Sequence, residues 1–473
     1  MDRADAIVVG SGPNGLAAAL TLARAGQAVE VFEGAETVGG GTRTEELTLS
    51  GFRHDVCSAV HPSLLASPFF RALDLPALGV VVRQPEVAFA QPLGGGRAAA
   101  AYRDVAETAS HLGGDAAAYR ALVGPLVEDL DRIVPYVLGP MRGLPAHPVT
   151  LAHFAAVGTP SVRHVARRFS TDAARALLAG TAAHSMEPLT SPLTASFGLL
   201  LTALGHGVGW PVVEGGSAAI TQGLAVEVER LGGVVHTGGW VRALDDLPPA
   251  RVVLLDTSPR QFVALAGRRL SRRAARPWLR FKPGPGTCKV DWALDGPVPW
   301  SAEACRRTVT VHVGGTFDEI ARAEAEVAAG RHAERPFVLV AQPCVVDPTR
   351  APAGKHTLWG YCHVPNGSDV DMCERMEAQI ERFAPGFRDL VLARAVRKAS
   401  EAEAQNPNLL GGDVNGGAQT LRQTFFRPVP RWNPYRTPLA GVYLCSASTP
   451  PGGGVHGMCG VAAAEVALRE RLS

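Results

Sequence analysis

A glycine-rich turn between a short apolar strand and an alanine-rich helix is the feature that most constrains how this chain folds. Residues Ala6–Gly10 are continuously apolar, which predicts a parallel strand buried on both faces. The turn GSGPNG that follows contains Gly10, Gly12 and Gly15. A helix is predicted over Asn14–Ala25 and a second strand over Val29–Phe32. This order of elements predicts a βαβ unit.

The spacing of the three glycines points to a dinucleotide. Gly10 permits the tight turn, Gly12 lets the backbone approach a pyrophosphate, and Gly15 lets the helix pack on the sheet. The helix N-terminus then offers N–H groups and partial positive charge to phosphates. Glu33 ends the second strand, where its carboxylate can accept hydrogen bonds from both ribose hydroxyls of an adenosine. The alternative interpretation is a glycine-rich turn with a surface glutamate.

A second glycine cluster indicates which dinucleotide is bound. Gly40 and Gly41 follow Glu33 closely, and Arg43 comes directly after them. Flavoproteins of the glutathione-reductase type place a glycine pair here, where the backbone and an Arg or Thr meet the phosphates of FAD. NAD dehydrogenases do not need such a pair. A plain surface turn is the alternative.

The C-terminal region repeats the pattern of strand, glycines and helix. A strand is predicted at Gly441–Leu444, and a helix from about Val461. Ser446, Gly454, Val455 and His456 lie between the two, and glycines before a helix allow a ligand to approach closely. A helix start facing the pyrimidine end of the isoalloxazine would stabilise negative charge on the reduced ring. No second GxGxxG follows a strand, so the electron acceptor, which stays open, is expected to be oxygen or a quinone rather than NAD(P).

Composition excludes several other classes of protein. Hydrophobic residues make up 46% of the 473 residues and charged residues 19%, which excludes disorder as the main state. The net charge of +2 and the absence of a basic tract give no reason to expect a nucleic-acid partner. The eight cysteines form no CxxC pair, so no metal site is expected. The residues after Met1 lack the layout of a signal peptide, and a cytoplasmic location is expected.

One stretch bears on membranes and on the substrate. Between Glu187 and Glu214 there is no Asp, Glu, Lys or Arg, but three prolines make a spanning helix improbable. The stretch is expected to form a buried helix near an apolar ligand, or a patch that touches a membrane surface. The residues proposed to line a substrate tunnel are Phe197, Leu199, Leu200, Leu201 and Trp210.

The remaining pattern predicts a second domain inserted into the first. An amphipathic helix, kinked at Pro125, is predicted over Asp115–Leu138, and further helices up to about Gly209. From Gly284 onward the strands predicted are Cys288–Leu294, Thr308–Val313, Phe337–Gln342 and His356–His363. We therefore expect an α/β (α+β overall) chain: a discontinuous FAD-binding Rossmann domain (1–75, 212–283 and 420–473) and a substrate domain of sheet plus helices (76–211 and 284–419).

The whole chain resembles the phytoene desaturase and carotenoid isomerase superfamily of FAD proteins. Within it, the chain resembles the phytoene dehydrogenase-like branch, also called pyridine nucleotide-disulfide oxidoreductase domain-containing proteins. The segments that carry the resemblance are VVGSGPNGLAAALTLARAG, VGGGTRTEE, GFRHDVCSAVHP, VVEGGSAAI, DPTRAPAGKHTLW, ERFAPGF, FFRPVP and GVYLCSASTPPGGGVHG. They run from Ala6 to about Ala464.

The resemblance implies a glutathione-reductase-like FAD domain and a set of cofactor contacts. The residues implied for the ADP half of FAD are Gly10, Gly12, Gly15, Glu33, Gly40 and Arg43. Val241 would meet the adenine through its backbone, and Ser446, Val455 and His456 would lie near the flavin. Two departures stand out: Cys445 and Ser446 replace a Gly-Asp or Gly-Ser pair, and the segment Val241–Val252 is shorter than usual, which implies a trimmed meander.

The expected activity is that of an FAD-dependent oxidoreductase, a dehydrogenase, desaturase or flavin-assisted isomerase. Hydride would pass from a largely apolar, polyene- or isoprenoid-like substrate to flavin N5. His456 is the first candidate for proton exchange and His61 the second, while His54 and Asp55 are expected in the same cavity.

Two alternatives stay open: a flavin amine oxidase or tailoring dehydrogenase of secondary metabolism, and a non-catalytic lipid-binding protein like the GDP-dissociation inhibitors. Peripheral membrane contact is a further expectation, and the oligomeric state is left open.

Overall fold

The computed structural model describes residues 4–139 and 144–472. The residues around Met1, on which the expectation about a signal peptide rests, lie outside this part. The strands are β1 Ala6–Val9, β2 Val29–Phe32, β3 Thr44–Glu45, β4 His54–Asp55, β5 Val82–Arg83, β6 Val87–Gly94, β7 Arg97–Tyr102, β8 Val212–Val213, β9 Val234–His236, β10 Val252–Leu255, β11 Gly286–Leu294, β12 Thr308–Val313, β13 Val338–Ala341, β14 His356–Val364, β15 Val391–Arg397 and β16 Val442–Leu444.

The α-helices are distributed between two sheets. They are α1 Pro13–Arg24, α2 Pro62–Ala66, α3 Pro68–Arg71, α4 Val105–Ser110, α5 Ala116–Glu128, α6 Leu130–Val137, α7 Pro148–Gly158, α8 Val162–Val165, α9 Asp172–Ala182, α10 Thr194–Gly207, α11 Ala218–Arg230, α12 Pro259–Ala266, α13 Arg272–Leu279, α14 Glu303–Arg306, α15 Phe317–Ala328, α16 Cys373–Phe383, α17 Ala402–Gln405, α18 Leu421–Phe426 and α19 Met458–Ala467.

The first sheet is parallel, with the order β16-β10-β1-β2-β9. All four residues of β1 are buried, and successive side chains alternate between two cores. Ala6 and Val8 pack with helices α1, α11 and α19 on one face, while Ile7 and Val9 pack with α12 and α13 on the other. Helices on both faces explain why this strand is apolar throughout. Its strands come from the segments 1–75, 212–283 and 420–473, the division that we propose for the FAD domain.

The second sheet has seven strands in the order β15-β11-β14-β13-β12-β6-β7. Only β12 and β6 pair in parallel, and the other neighbours are antiparallel. One face packs on α14 and α16, and the other faces α5, α9 and α10. Both faces are therefore covered, even where a strand carries polar residues on one of them.

Three sequence expectations are modified by the structure. The helix predicted over Asp115–Leu138 is two helices, and the break falls at Asp129 instead of Pro125, where the Asp129 carboxylate binds Arg132 and Thr150. The uncharged stretch forms α10, which is buried between α5 and α9 and offers no face to a membrane. Between Val241 and Val252 the chain forms a single 3-10 turn.

Candidate functional site

An elongated cavity of about 950 Å³ lies between the two sheets, within the size range of ligand pockets. One end is a groove over the carboxyl ends of β1, β2 and β10, where parallel sheets of this kind bind ligands. The other end is lined by α6, α7 and α10 and by the second sheet. The groove and the apolar end are one continuous space.

The glycines of the first turn are required by close backbone approaches. A Cβ on Gly15 would overlap the carbonyl oxygen of Gly10, so α1 can sit this close to β1 only without a side chain there. A Cβ on Gly12 would lie 2.8 Å from Oδ2 of Asp256. A Cβ on Gly40 would lie 3.2 Å from Cα of Gly12, which brings the second glycine cluster against the first. Gly12, Gly40 and Gly41 line the cavity, whereas Gly15 lies behind it.

Glu33 lines the groove with its carboxylate held in place. Its Oε2 accepts hydrogen bonds from the backbone N and Oγ of Ser11, at 2.9 and 2.6 Å, and its Oε1 accepts from the backbone N of Ala35 at 2.9 Å. A carboxylate has about four lone-pair positions, so it can still accept from ribose hydroxyls. The structure places Glu33 where the sequence analysis expected an adenosine ribose.

Arg43 connects the second glycine cluster to the second domain. Its Nε donates to the carbonyl of Gly40 at 3.3 Å, and its Nη2 donates to the carbonyl of Gln405 at 3.2 Å. The guanidinium lines the cavity, where it supplies positive charge beside the glycines. A diphosphate in the groove would meet this cation.

The expected adenine contact, Val241, also lines the groove, next to Trp240. The ring of Trp240 lies directly over Gly34, and a Cβ on Gly34 would overlap that ring. The Trp240 ring can therefore occupy this position only because the residue immediately after Glu33 is a glycine. The sequence analysis did not single out either residue.

Asp256 is a site residue that the sequence analysis missed. It follows β10, is buried, and lines the groove with its Oδ2 2.9 Å from the backbone N of Gly15. One N–H at the start of α1 is therefore already bound by a carboxylate instead of being free for phosphate. Burial, with a contribution from the charge on Glu33, raises the pKa of Asp256 to about 7.

The C-terminal helix packs directly on the first helix. A Cβ on Gly460 would overlap the backbone carbonyl of Asn14, so the first turns of α19 and α1 touch. Gly457, in the left-handed conformation with φ +70°, precedes α19, which begins three residues before the predicted Val461. The expected flavin neighbours Ser446, Gly454, Val455 and His456 all line the cavity. The two helix starts thus share one groove.

The ring of His456 is fully engaged by its own loop. Its Nδ1 accepts from the backbone N of Met458 at 3.1 Å, which leaves Nε2 as the donor to the carbonyl of Gly452 at 3.2 Å. Burial lowers the pKa of His456 to about 4, so the ring is neutral near pH 7. His456 shapes the wall, and this arrangement does not support the expected proton exchange.

The other acidic and histidine candidates lie outside the cavity lining. Nε2 of His61 lies 2.8 Å from Oγ of Ser217, and burial lowers the pKa of His61 to about 4. Asp55 accepts from Ser217 and from Arg350, whose Nη2 is 2.6 Å away. His54 is buried next to Asp55. The expectation that these side chains meet substrate is therefore corrected: they connect segments of the chain behind the cavity.

The apolar end agrees with the predicted tunnel at four of five positions. Phe197, Leu200, Leu201 and Trp210 line the cavity. Leu199 is fully buried on the opposite side of α10 and belongs to the helix core. The difference follows from helical periodicity: Leu200 and Leu201 are three and four residues after Phe197 and share its face, whereas Leu199 is two residues after it and lies on another face.

Lys289 is the second residue that the sequence analysis missed. On β11 the polar residues Thr287, Lys289 and Asp291 alternate with apolar ones that pack against α16, so all three lie on the opposite face of the sheet, the side of the cavity. The Lys289 amine lines the cavity, forms an ion pair with Asp291, and lies 5.5 Å from the ring centroid of Trp359. Burial lowers the pKa of Lys289 even though Asp291 raises it.

Behind this ion pair a polar path leads away from the cavity. Oδ1 of Asp291 lies 3.5 Å from Nδ1 of His54, and Nε2 of His54 lies 2.8 Å from Oγ1 of the half-buried Thr48. Burial and the charge on Lys289 lower the pKa of His54 to about 3. The sequence does show polar residues at every second position of β11. Such a pattern ordinarily predicts a strand with one face in water, so it did not indicate that Lys289 lies in the cavity.

The described residues, 4–139 and 144–472, include neither a candidate metal centre nor a membrane-spanning helix. They contain no group of three or more His, Cys, Asp or Glu side chains placed to hold a metal ion. None of their helices has both the length and the apolar character needed to cross a bilayer.

Comparison with known proteins identifies the class of the fold. The NAD(P)-binding Rossmann-like domain family matches residues 8–73. Pyridine nucleotide-disulfide oxidoreductase domain-containing protein 2 of Rattus norvegicus is 26% identical and covers 98% of this chain and 93% of its own. A phytoene desaturase (neurosporene-forming) of Rhodobacter capsulatus is 29% identical over 28% of this chain and 26% of its own.

Solved structures share the fold over nearly the whole chain. An oxidoreductase from Methanosarcina mazei has a TM-score of 0.65 at 18% identity, covering 98% of this chain and 99% of its own. Putrescine oxidase bound to putrescine has a TM-score of 0.60 at 19% identity, covering 98% of each chain.

A glycine-lined dinucleotide groove on a parallel sheet, continuous with a cavity against a second sheet, defines a flavin-dependent oxidoreductase of glutathione-reductase-like architecture. The chain is an FAD-dependent oxidoreductase, and over nearly its full length it is similar to the pyridine nucleotide-disulfide oxidoreductase domain-containing proteins. The residues present fit FAD, since the cradle of Gly12 and Gly40 leaves room that side chains would fill. The non-catalytic alternative is set aside.

Proposed function

We propose that this oxidoreductase dehydrogenates, or isomerises through the reduced flavin, a largely apolar substrate of polyene or isoprenoid type. The observation that carries the proposal is the continuity of the cofactor groove with the apolar end formed by α6, α7 and α10. Side chains such as Phe197, Leu200 and Leu201 bind hydrocarbon and offer few hydrogen bonds that would select a polar substrate.

The charges near the apolar end argue against an amine substrate. An ammonium group replaces its water with a free carboxylate or an aromatic face. Aromatic faces such as Trp210 and Trp359 are present, so the case against an amine rests on the carboxylates and on the nearby cation. Asp291 is bound to Lys289, and the Asp413 carboxylate accepts from the backbone N atoms of Gly284, Asn415 and Gly417. The available cation, Lys289, would repel an ammonium. The amine oxidase remains the second candidate because putrescine oxidase shares the fold.

Lys289 is proposed as the proton acceptor in place of His456. Dehydrogenation removes a hydride and a proton from adjacent carbons, and a C=C bond forms. Bound FAD supplies the hydride acceptor at N5. Lys289 is an ammonium when it is paired with Asp291, and it can accept the proton only in the fraction of molecules in which it is neutral. Burial lowers the pKa of the amine and so raises that fraction, and Asp291 stabilises the ammonium that results.

The apolar wall fixes the substrate and excludes water around Lys289. Trp210 and Trp359 line the cavity, and Trp359 lies over the Lys289 amine. Orientation of the reacting carbons against the cofactor is the main contribution expected from the wall. The electron acceptor is proposed to be oxygen or a quinone.

Anaerobic mixing of the holoprotein with isoprenoid polyenes and, separately, with primary amines tests the proposal. Bleaching of the flavin absorbance by a polyene supports the proposal. Bleaching by an amine but not by a polyene establishes the second candidate instead. No bleaching by either compound contradicts both candidates. Lys289→Met is expected to slow bleaching by about 10²- to 10⁴-fold with unchanged flavin content. Lys282→Met, a change of the same kind at an exposed lysine, is the control and is expected to have no effect.

A further inference from the structure

Five large apolar side chains are exposed on three neighbouring segments of the surface. They are Leu279 at the end of α13, Leu421, Phe425 and Phe426 on α18, and Trp432 in the following loop, with exposed fractions of 56%, 48%, 51%, 57% and 87%. Single exposed apolar residues are common, but a group of five with three aromatic rings is typical of an interaction site. We name this group the aromatic face.

Hydrogen bonds and a ring contact hold the three segments together. The Gln423 side chain on α18 accepts from the backbone N of Lys282 at 2.8 Å and donates to its carbonyl at 2.9 Å. The guanidinium of Arg431 lies 5.6 Å from the ring centroid of Trp278 on α13. The aromatic face is therefore one surface and not three separate exposures.

The segments that form the aromatic face carry only positive charges, and all of these except Lys289 and Arg427 are outside the buried core. Residues 257–290 and 414–464, which contain it, carry thirteen of the 46 Lys and Arg residues and none of the 44 Asp and Glu residues. The run 268–282 is a basic tract, so the expectation that the chain lacks one is corrected. The near-neutral net charge concealed it, because acidic residues elsewhere balance these cations.

Most of these cations have no acidic partner. Within 4–139 and 144–472, no carboxylate lies within 4.0 Å of the exposed side chains of Arg272, Arg273, Arg276, Arg280, Lys282 or Arg422. At the margins, Asp245 pairs with Arg269 and Glu470 pairs with Arg436. The positive charge is therefore available to an anionic partner.

We propose that the aromatic face and its surrounding cations dock on the surface of an anionic lipid bilayer. Cations interleaved with Trp, Phe and Leu match an interface in which anionic headgroups lie above an apolar layer. A polyanion such as nucleic acid would account for the cations but would leave Leu279 and Leu421 without an apolar environment. The segment between Glu187 and Glu214 has no part in this contact, because it is buried.

The docked face also provides a route for substrate, an inference that rests on the proposed function. Thr424 and Phe425 line the cavity, and Phe425 is exposed as well, so α18 forms part of the cavity mouth. A polyene or isoprenoid dissolved in the bilayer would enter beside Phe425 without crossing water. The contact with lipid itself does not depend on turnover.

Sedimentation of the FAD-loaded protein with vesicles tests the docking. Vesicles of phosphatidylcholine alone and of phosphatidylcholine with about 30% phosphatidylglycerol are compared. We expect at least about tenfold stronger binding to the anionic vesicles, weakened by high salt. Phe426→Ser/Trp432→Ser and Arg272→Gln/Arg273→Gln/Arg276→Gln are each expected to reduce it about tenfold, with flavin absorbance unchanged.

Matched controls change the same residue types elsewhere. Leu49→Ser/Val226→Ser alters exposed apolar residues, and Arg120→Gln/Arg167→Gln/Arg168→Gln alters exposed arginines that form no ion pair within residues 4–139 and 144–472. These controls are expected to bind as the original protein does. Absence of anionic-vesicle binding, equal loss in the controls, or binding of duplex DNA in place of vesicles would overturn the proposal. Polyene bleaching without vesicle binding would overturn it while leaving the proposed function intact.

Discussion

The protonation state of Asp256 depends more on its environment than on its residue type. Its carboxyl lies at the glycine turn, where the sequence pattern predicts an anion, and it already binds the N–H of Gly15. Burial there raises its pKa to about 7. A protonated carboxyl removes the repulsion that a diphosphate and Glu33 would otherwise meet.

Asp256→Asn is expected to remove a pH dependence of stability. Because the folded pKa of about 7 exceeds the ordinary value of 3.8, the group stabilises the fold fully below pH 3.8 and this stability is lost as pH rises to about 7. Between pH 3.8 and about pH 7 the free energy of unfolding of the original protein should therefore decrease. This decrease should exceed that of the variant by at most about 4 kcal/mol. Urea denaturation at about pH 5 and about pH 8 measures the difference. Identical pH slopes would contradict this prediction.

The roles of Lys289 and Gly34 could not be predicted from the sequence. Glycines of a motif are recognisable because their spacing along the chain carries the information. The role of Lys289 depends on its burial beside Trp359, and the role of Gly34 depends on Trp240; both partners are far away in sequence. Neither partner can be identified from local pattern.

At the scale of elements, the contact between α1 and α19 positions both ends of the cofactor groove. Gly460 allows α19 to lie on the carbonyl of Asn14, and Gly15 allows α1 to lie on the carbonyl of Gly10. Two helices from opposite ends of the chain and one strand are thus fixed relative to each other by the absence of two Cβ atoms.

Gly460→Ala is expected to destabilise the protein and reduce its flavin content. The new Cβ would overlap backbone, which cannot move aside as a flexible side chain can, so a loss of at least about 1–3 kcal/mol is expected. Thermal denaturation and the ratio of flavin to protein absorbance provide the measurements.

Gly114→Ala is the control, since Gly114 lies in the 3-10 turn before α5 with open space where its Cβ would be. It should be neutral or stabilising by about 0.5–1 kcal/mol. Equal stability of the two variants would refute the packing argument.

At the scale of the whole molecule, a buried ion pair joins parts of the chain that are far apart in sequence. Arg350 precedes β14 of the second sheet, and Asp55 lies on β4, close to the second glycine cluster. Asp55 also accepts from Thr44 and from the backbone N of Ser217, before α11. The Arg350 guanidinium and these hydrogen bonds hold the pKa of Asp55 below its usual value despite burial.

Arg350→Met is expected to cost about 3–5 kcal/mol of unfolding free energy, because it leaves the buried Asp55 charge without its cation. The double variant with Asp55→Asn should recover part of this loss. Arg163→Gln removes an exposed pair with Asp318 and should cost no more than about 1 kcal/mol. Chemical denaturation of the four proteins measures these values. A loss in Arg350→Met no larger than in Arg163→Gln would show that the buried pair is unimportant.

The sequence by itself determined the βαβ unit, the FAD groove and the order of strands along the chain, because each is encoded by neighbouring residues with a recognisable period. Predicted strands such as Thr308–Val313 and Val29–Phe32 match the structure residue for residue. Only the tertiary structure decided that His61, His54 and Asp55 lie behind the cavity, that Asp256 and Lys289 lie within it, and that scattered arginines gather on one face. These properties depend on burial and on pairing between distant segments, such as the 241 residues separating Gly15 from Asp256, and neither is written in local pattern.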